Sequence, residues 1–108
     1  MKISELAEIG FTCLQNTFED AELTGGYTSD LLSDVMANLK EGQVLITLQA
    51  HKNTIAVASL SGAAAVVFCH GRAAADDVLE AAKAEGIAVF STPDDQFEAT
   101  VKVAHALA

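Results

Sequence analysis

Three short apolar runs in the second half of the chain predict strands that are buried on both faces. They read VLITL (44–48), AAVVFC (64–69) and IAVF (87–90), and none alternates apolar with polar residues. Continuous apolar strands are typical of a parallel sheet that helices cover on both sides. The runs begin at residues 44, 64 and 87, which leaves room for a crossover helix after each of the first two.

Helical periodicity around these runs predicts the covering layers. Residues 30–40 place Leu31, Leu32, Val35, Met36 and Leu39 on one face, and Thr28, Ser29 or Asp30 is expected to cap this helix. Residues 53–62 are apolar nearly all round, which indicates a buried helix. Residues 74–86 are amphipathic. The segment 94–108 carries one apolar stripe, formed by Phe97, Val101, Ala104 and Ala108.

The N-terminal third gives weaker signals. Ser4 could cap a short helix that ends at Gly10, residues 11–15 could form a strand, and residues 18–24 read as a polar edge strand or loop. The expected fold is a three-layer α/β domain spanning residues 1–108. Its sheet is mainly parallel, is built of βαβ units and has helices on both faces.

Charge and hydropathy exclude several classes of partner. Six Lys and Arg face fifteen Asp and Glu, for a net charge of −9, which disfavours nucleic acid and anionic membranes. No apolar run reaches the roughly 18–20 residues of a membrane span, and the acidic start is unlike a signal peptide. We therefore expect a cytoplasmic protein, with no nucleic-acid or membrane partner. Cys13 and Cys69, each within an apolar run, are expected to be buried free thiols.

Three loops follow the predicted parallel strands, and ligands bind such sheets at the carboxyl ends of the strands. These loops read QAHKN (49–53), CHGRA (69–73) and STPDD (91–95), and they hold two of three histidines and the only arginine. Loops that lead into helix N-termini favour anions. One interpretation is an anion or nucleotide site. The other is that these residues only cap a helix, turn the chain or carry charges exposed to solvent. The candidate residues are His51, Lys52, Asn53, His70, Gly71 and Arg72.

The segment ELTGGYTSD (22–30) raises the question of a phosphate-binding loop. It lacks the Lys of G-x-x-x-x-G-K-[ST] and the third Gly of G-x-G-x-x-G. We therefore expect a turn in which Gly25 or Gly26 adopts positive φ. A contact to a ligand or partner stays open because hydroxyls are dense here. The motif comprises Thr24, Gly25, Gly26, Tyr27, Thr28, Ser29 and Asp30.

The sequence gives little support for a catalytic site or a metal site. His51, Cys69 and His70 lack the spacing of a zinc site, and two cysteines cannot supply the four thiolates of an iron–sulfur cluster. Adjacent carboxylates in the pairs 76–77 and 94–95 are better interpreted as helix caps, since neighbouring residues on a helix do not face each other. We predict no catalytic residue, no metal and no cofactor.

From about residue 20 onward, the chain resembles a DRTGG domain. The naming motif corresponds to Glu22, Leu23, Thr24, Gly25 and Gly26, and the resemblance continues through YTSDLLSDVM, QAHKNT and GIAVFSTPDDQFEA. Leu23 stands at the Arg position, so an anion contact from that position is lost or moved to Lys52 and Arg72.

The resemblance implies a non-catalytic regulatory module, expected to form a homodimer and to sense an adenine nucleotide or another small anion. An alternative is a structural subunit that docks to a hydrogenase-type redox enzyme, since similar stand-alone domains are encoded beside such enzymes. A lesser alternative is an accessory domain like the N-terminal domain of HPr kinase/phosphorylase, without kinase activity.

Overall fold

The computed structural model describes residues 1–108 and contains one five-stranded sheet in the order β1-β5-β4-β3-β2. Strands β2 to β5 are parallel to their neighbours, and β1 is antiparallel to β5. The sheet is therefore mainly parallel, as expected, with one antiparallel edge strand. The strands are β1 (Thr12–Gln15), β2 (Gly25–Thr28), β3 (Gln43–Thr47), β4 (Ala65–Phe68) and β5 (Ala88–Ser91).

Helices cover both faces of the sheet, which confirms the three-layer α/β fold. The helices are a 3-10 helix (Ile3–Ile9), α1 (Leu32–Asn38), α2 (Lys52–Ser61), α3 (Asp76–Glu85) and α4 (Gln96–Leu107). Helices α1, α2 and α3 pack on one face, and α4 and the 3-10 helix pack on the other. No helix is long and apolar enough to cross a bilayer.

The continuous apolar runs form central strands because successive side chains enter two different cores. On β3, Val44 and Ile46 join the core under α4, whereas Leu45 joins the core under α1 to α3. Strand β4 divides in the same way, with Val67 on the first side and Phe68 on the second. Each core contains 13 buried residues, so neither face could tolerate the polar half of an alternating strand.

The turn predicted at Gly25 and Gly26 is wrong, because both residues lie within β2, although Gly25 does have the positive φ expected of one of them, at 158°. This strand pairs with β3 over its whole length, from Gly25 opposite Gln43 to Thr28 opposite Ile46. The other side of β2 has no neighbouring strand, so β2 is an edge strand. Residues 18–24 form no strand of their own and contribute one isolated bridge, from Glu22 to Lys2.

Helix α4 turns a different face to the core from the one the periodicity indicates, and α1 buries only part of its predicted face. In α4, Ala99 and Val103 are buried, whereas Phe97 and Val101 of the predicted stripe are 78% and 49% exposed. The segment of α1 buries Val35 and Leu39 and packs Leu32 partly against the same core, but it leaves Leu31 and Met36 exposed. Helix α2 is buried on one side, with Leu60 exposed on the other. Apolar residues therefore remain at the surface of three helices.

Candidate functional site

The four parallel strands end side by side at one edge of the sheet, here called the carboxyl edge. Thr28 lies opposite Ile46, Thr47 opposite Phe68, and Phe68 opposite Ser91. The loops that leave these strands are therefore neighbours in space. The strand order thus brings together the three loops that the sequence singles out, as well as the segment that follows β2.

Asp30 connects three elements at the carboxyl edge. Its Oδ1 atom accepts hydrogen bonds from the backbone N–H of Leu48 at 2.7 Å and from Thr47 Oγ1 at 2.9 Å. The same atom accepts a hydrogen bond from Gln96 Nε2 at 3.1 Å, at the start of α4. Asp30 was predicted as a possible cap of the following helix, but it instead fixes the end of β2 to β3 and α4.

The loops after β4 and β5 are joined by backbone hydrogen bonds. The N–H of His70 donates to the carbonyl of Asp94, and the N–H of Gly71 donates to the carbonyl of Thr92, both at 2.8 Å. A further bond, from Arg72 N–H to the Cys69 carbonyl, closes a tight turn in which His70 and Gly71 have φ of 58° and 63°. His70 is the only residue other than glycine with positive φ. This conformation costs free energy in a residue with a side chain.

The predicted residues of the neighbouring loop lie at the start of α2. His51 is the N-cap residue, and Lys52 and Asn53 occupy the first turn; all three are exposed. Arg72 and His70 are also exposed, in the loop after the adjacent strand. Neither Lys52 nor Arg72 takes part in an ion pair within the chain. Both cations are therefore available to a ligand.

Helix α2 differs from the other helices in its first turn. It has no acidic residue there, whereas each of the other three α-helices has at least one; α1 and α3 share its lack of a side-chain cap. Asp34 lies in the first turn of α1, Asp76 and Asp77 lie in that of α3, and Asp95 caps α4 by accepting from Glu98 N–H at 2.8 Å. Because a helix N-terminus favours negative charge, the start of α2 is the one most open to an external anion.

The hydroxyls of the motif serve the structure around β2. Thr24 Oγ1 donates to the Glu41 carbonyl at 2.8 Å, and Tyr27 OH donates to both carboxylate oxygens of Asp34, at 2.9 and 2.8 Å. Ser29 Oγ accepts from the Leu31 N–H at 3.2 Å. These bonds lie on the edge strand or at its ends. They do not bring the motif residues together around one point.

Thr28 and Gly26 line a cavity of about 110 Å³ between β2 and α4. Thr28 Oγ1 lies 2.7 Å from Thr100 Oγ1, which connects the edge strand to the helix. Ala104 and Leu107 line the opposite wall. This cavity could not be predicted from the sequence, since its walls come from segments about seventy residues apart.

The two cysteines have different surroundings. Cys69 is fully buried, and burial, together with Asp30, Asp94 and Asp95, raises the pKa of its thiol to about 11. Cys69 is therefore a protonated thiol at neutral pH, which does not suit a nucleophile. The prediction that both cysteines are buried is wrong for Cys13, which is exposed on β1, although both are free. No group of three or more potential metal ligands lies together in the structure.

Comparisons with known proteins identify a family and a solved structure of similar fold. The family model for the DRTGG domain matches residues 27–106, starting just after the two glycines. A similar solved structure is the regulatory region of Clostridium perfringens pyrophosphatase, which comprises CBS and DRTGG domains and is complexed with its activator, diadenosine tetraphosphate. The TM-score is 0.74 at 15% identity, over 94% of this chain and 45% of that one. The chain thus spans less than half of that regulatory region, and none of the curated proteins matches it. The family model covers most of the sequence, and the chain belongs to the DRTGG domain family.

Proposed function

We propose that this chain is a non-catalytic regulatory module that dimerises and binds an adenine nucleotide or another small anion at the carboxyl edge. The observation that carries the proposal is the start of α2. It has unpaired N–H groups, no acidic residue and an exposed Lys52, beside the loop that holds Arg72. A phosphate group there would accept backbone hydrogen bonds and face two cations in a chain of net charge −9.

Each predicted residue has a role in this proposal. The backbone of Lys52 and Asn53 and the Lys52 ammonium would bind the phosphate, and Arg72 would approach it from the adjacent loop. Gly71 and His70 form the tight turn that sets the direction of Arg72, and His51 begins the helix. The strained φ of His70 supports a functional role for this turn, because such conformations concentrate at binding sites.

The expectation of an adenine nucleotide is supported by the pyrophosphatase regulatory region, which was solved with diadenosine tetraphosphate. That complex concerns a protein with CBS domains as well, so inorganic phosphate and pyrophosphate are the other anions to test. Thr28, Ser29 and the rest of the motif lie at the β2 end of the same edge or along that strand. In this proposal they hold the edge strand and do not touch the phosphate.

Isothermal titration calorimetry with ATP, ADP, AMP and diadenosine tetraphosphate tests the ligand. We expect saturable binding by at least one of them and, for Arg72→Ala, an affinity lower by about tenfold or more, since a charge-assisted hydrogen bond is lost. Lys83→Ala is the matched control. Lys83 is an exposed cation in the last turn of α3, at the opposite edge of the sheet, and its removal should leave the affinity unchanged. Absence of binding at millimolar ligand, or equal losses in both variants, would contradict the proposal.

A second candidate is a structural subunit that docks to a hydrogenase-type redox enzyme. The observation that favours it is the exposed apolar surface of α4, where Phe97 is 78% exposed. Size-exclusion chromatography of the chain mixed with a purified enzyme of that type would test it. Co-elution that Phe97→Ser abolishes would support docking, whereas separate elution at micromolar concentrations would count against it.

A further inference from the structure

The two edges of the sheet differ in how well they are protected against further pairing. At β1, the register against β5 shifts between Cys13 and Gln15, and such an irregularity disrupts an edge. Strand β2 keeps an unbroken register with β3 and contains no lysine or proline, the residues that commonly protect an edge. Gly26 and Thr28 of this strand are exposed. The β2 edge is therefore open to another strand.

The main-chain groups of Gly26 and Thr28 point away from the sheet. Ser29 N–H donates to the carbonyl of Ile46 at 3.2 Å, and alternate residues of a strand pair with the same neighbour. Tyr27 therefore pairs with β3, whereas the N–H and C=O groups of Gly26 and Thr28 lie on the open side. No hydrogen bond from a loop or turn involves these groups. The donors and acceptors of Gly26 and Thr28 thus have the spacing that an added strand requires.

The cavity between β2 and α4 lies beside the same two residues. Gly26 and Thr28 line it on the strand side, and Thr100 and Ala104 line it on the helix side. A residue paired opposite Gly26 or Thr28 directs its side chain to this face of the sheet, because directly opposite residues share a face. In strand addition, main-chain hydrogen bonds supply affinity and pockets beside the edge select side chains. The β2 edge offers both to one segment of chain.

The size and the lining of the cavity favour an aliphatic side chain. Its volume of about 110 Å³ holds about four non-hydrogen atoms, at the roughly 30 Å³ that each water occupies in the liquid. The side chains of leucine, isoleucine and methionine have that many, whereas aromatic side chains have more. Ile46, Val103 and Leu107 supply apolar walls. An aliphatic side chain would therefore fill the cavity and leave water.

We propose that the β2 edge binds an extended segment of another protein, which extends the sheet by one strand and places a leucine, isoleucine or methionine in the cavity. A second copy of β2 does not fit this description. Two-fold pairing around Tyr27 places Gly26 of each copy opposite Thr28 of the other, and neither side chain fills an apolar cavity. The net charge of −9 also favours a segment with basic residues over a second acidic chain. The inference goes beyond the proposed function and does not depend on the anion site.

Selection from a phage-displayed library of random heptapeptides, on the immobilised chain, identifies sequences that bind. We expect enriched sequences to combine an aliphatic residue with neighbours of high β-propensity and with lysine or arginine. A synthetic peptide of an enriched sequence is then titrated into the ¹⁵N-labelled chain. The amide signals of Gly26 and Thr28 should shift with saturation. The amide of Leu60 should not shift, because Leu60 is exposed on α2, on the other face of the sheet.

The variant Gly26→Ala tests whether the cavity holds the side chain. An added Cβ at Gly26 would lie 3.6 Å from Val103 Cγ1, so it reduces the cavity without a clash. The affinity for a leucine peptide should fall by about tenfold or more. Replacing that leucine with valine should recover most of the loss, because the smaller side chain fits the reduced space. Leu60→Ser is the matched control: it removes an exposed apolar side chain elsewhere and should leave the affinity unchanged.

N-methylation of the peptide tests the main-chain pairing. Alternate peptide N–H groups would donate to the carbonyls of Gly26 and Thr28, and the intervening N–H groups would face solvent. Methylation of the first set should lower the affinity by about tenfold or more, since it removes those hydrogen bonds. Methylation of the second set should have a much smaller effect. Equal losses from the two sets would contradict strand addition.

Four further results would overturn the inference. One is a library from which no peptide binds at millimolar concentration. Another is a peptide that binds without shifting the amides of Gly26 and Thr28. A third is an equal loss for the leucine and valine peptides on Gly26→Ala. The last is a shift of the same two amides with protein concentration alone, which would identify a second copy as the occupant. None of these results bears on nucleotide binding, which calorimetry measures separately.

Discussion

Asp30 Oδ1 and the backbone N–H of Leu48 form a 2.7 Å hydrogen bond that joins the ends of β2 and β3. Leu48 begins the loop that leads to α2, so this bond fixes where that loop starts. Through Thr47 and Gln96, the same carboxylate also reaches the β3 strand end and the first turn of α4. The position of the proposed anion site therefore depends on an acidic residue that itself does not contact the anion.

Asp30→Ala should lower the free energy of unfolding by about 2–3 kcal/mol. The substitution leaves the N–H of Leu48 and the hydroxyl of Thr47 without their acceptor at a half-buried position. Urea unfolding followed by circular dichroism measures the change. Asp76→Ala is the matched control, because Asp76 is exposed in the first turn of α3; its loss should cost about 0.5 kcal/mol. Equal unfolding midpoints for the two variants would contradict this role of Asp30.

Gly42 should tolerate a side chain less well than the motif glycine Gly26. At Gly42, φ is 84° and an added Cβ would lie 2.7 Å from Thr24 Cγ2, so Gly42→Ala should cost about 2 kcal/mol or more. At Gly26, an added Cβ would meet Val44 and Val103 at 3.5 and 3.6 Å, which is ordinary contact. Gly26→Ala should therefore change stability by no more than about 0.5 kcal/mol. The reverse order of stability, measured by thermal unfolding, would contradict the geometry of β2.

His70→Gly should separate stability from binding. Glycine adopts the φ of 58° without strain, so the variant should be as stable as the unaltered chain or more stable by up to about 1 kcal/mol. Its affinity for the nucleotide should fall, because the turn that carries Arg72 becomes less restricted. His51→Gly is the comparison for stability. His51 has an extended φ of −127°, so replacing it with glycine relieves no backbone strain. A loss of stability in His70→Gly equal to that in His51→Gly would contradict the argument.

Because of the hydrogen bond between Tyr27 and Asp34, the stability of the fold should depend on pH both in acid and in alkali. Hydrogen bonds from Ser29, Tyr27 and Asn38 lower the pKa of Asp34, so its contribution is present above the ordinary value of 3.8 and is lost as pH falls through the lowered pKa. The bond to Asp34 raises the pKa of Tyr27, so that contribution is present below 10.0 and is lost as pH rises through the raised pKa. The stability difference between the unaltered chain and Asp34→Asn should therefore shrink in acid. Parallel curves of urea midpoint against pH would contradict it.

The second half of the chain was predictable because its signals are local. Continuous runs around Leu45, Val66 and Val89 become strands since each residue faces an apolar core, and glycine ends the helix before β5. The two glycines of the motif were wrongly predicted to form a turn, because the residues around them are also common in turns. Their extended conformation depends on pairing with Gln43 and Val44, which lie beyond a helix in the sequence.

The features of the site that could not be predicted depend on contacts between residues far apart in the sequence. His51, Lys52 and Arg72 could be named because strand ends are visible in the apolar runs. The role of Asp30 depends on Gln96, sixty-six residues away, and the cavity beside Thr28 depends on Thr100. The apolar stripe of Phe97 and Val101 follows the same period as the buried one, so periodicity alone cannot tell which side faces the sheet.

The most direct test of the anion site is a titration of the ¹⁵N-labelled chain with ATP, followed by backbone amide chemical shifts. The account predicts saturable shift changes at Lys52, Asn53 and Arg72, with adenosine at the same concentrations producing none, because the phosphate is the recognised group. Inorganic phosphate should shift the same amides at higher concentration. Unchanged amides in residues 51–53 and 70–72, or equal changes with adenosine, would contradict the claim that the start of α2 binds an anion.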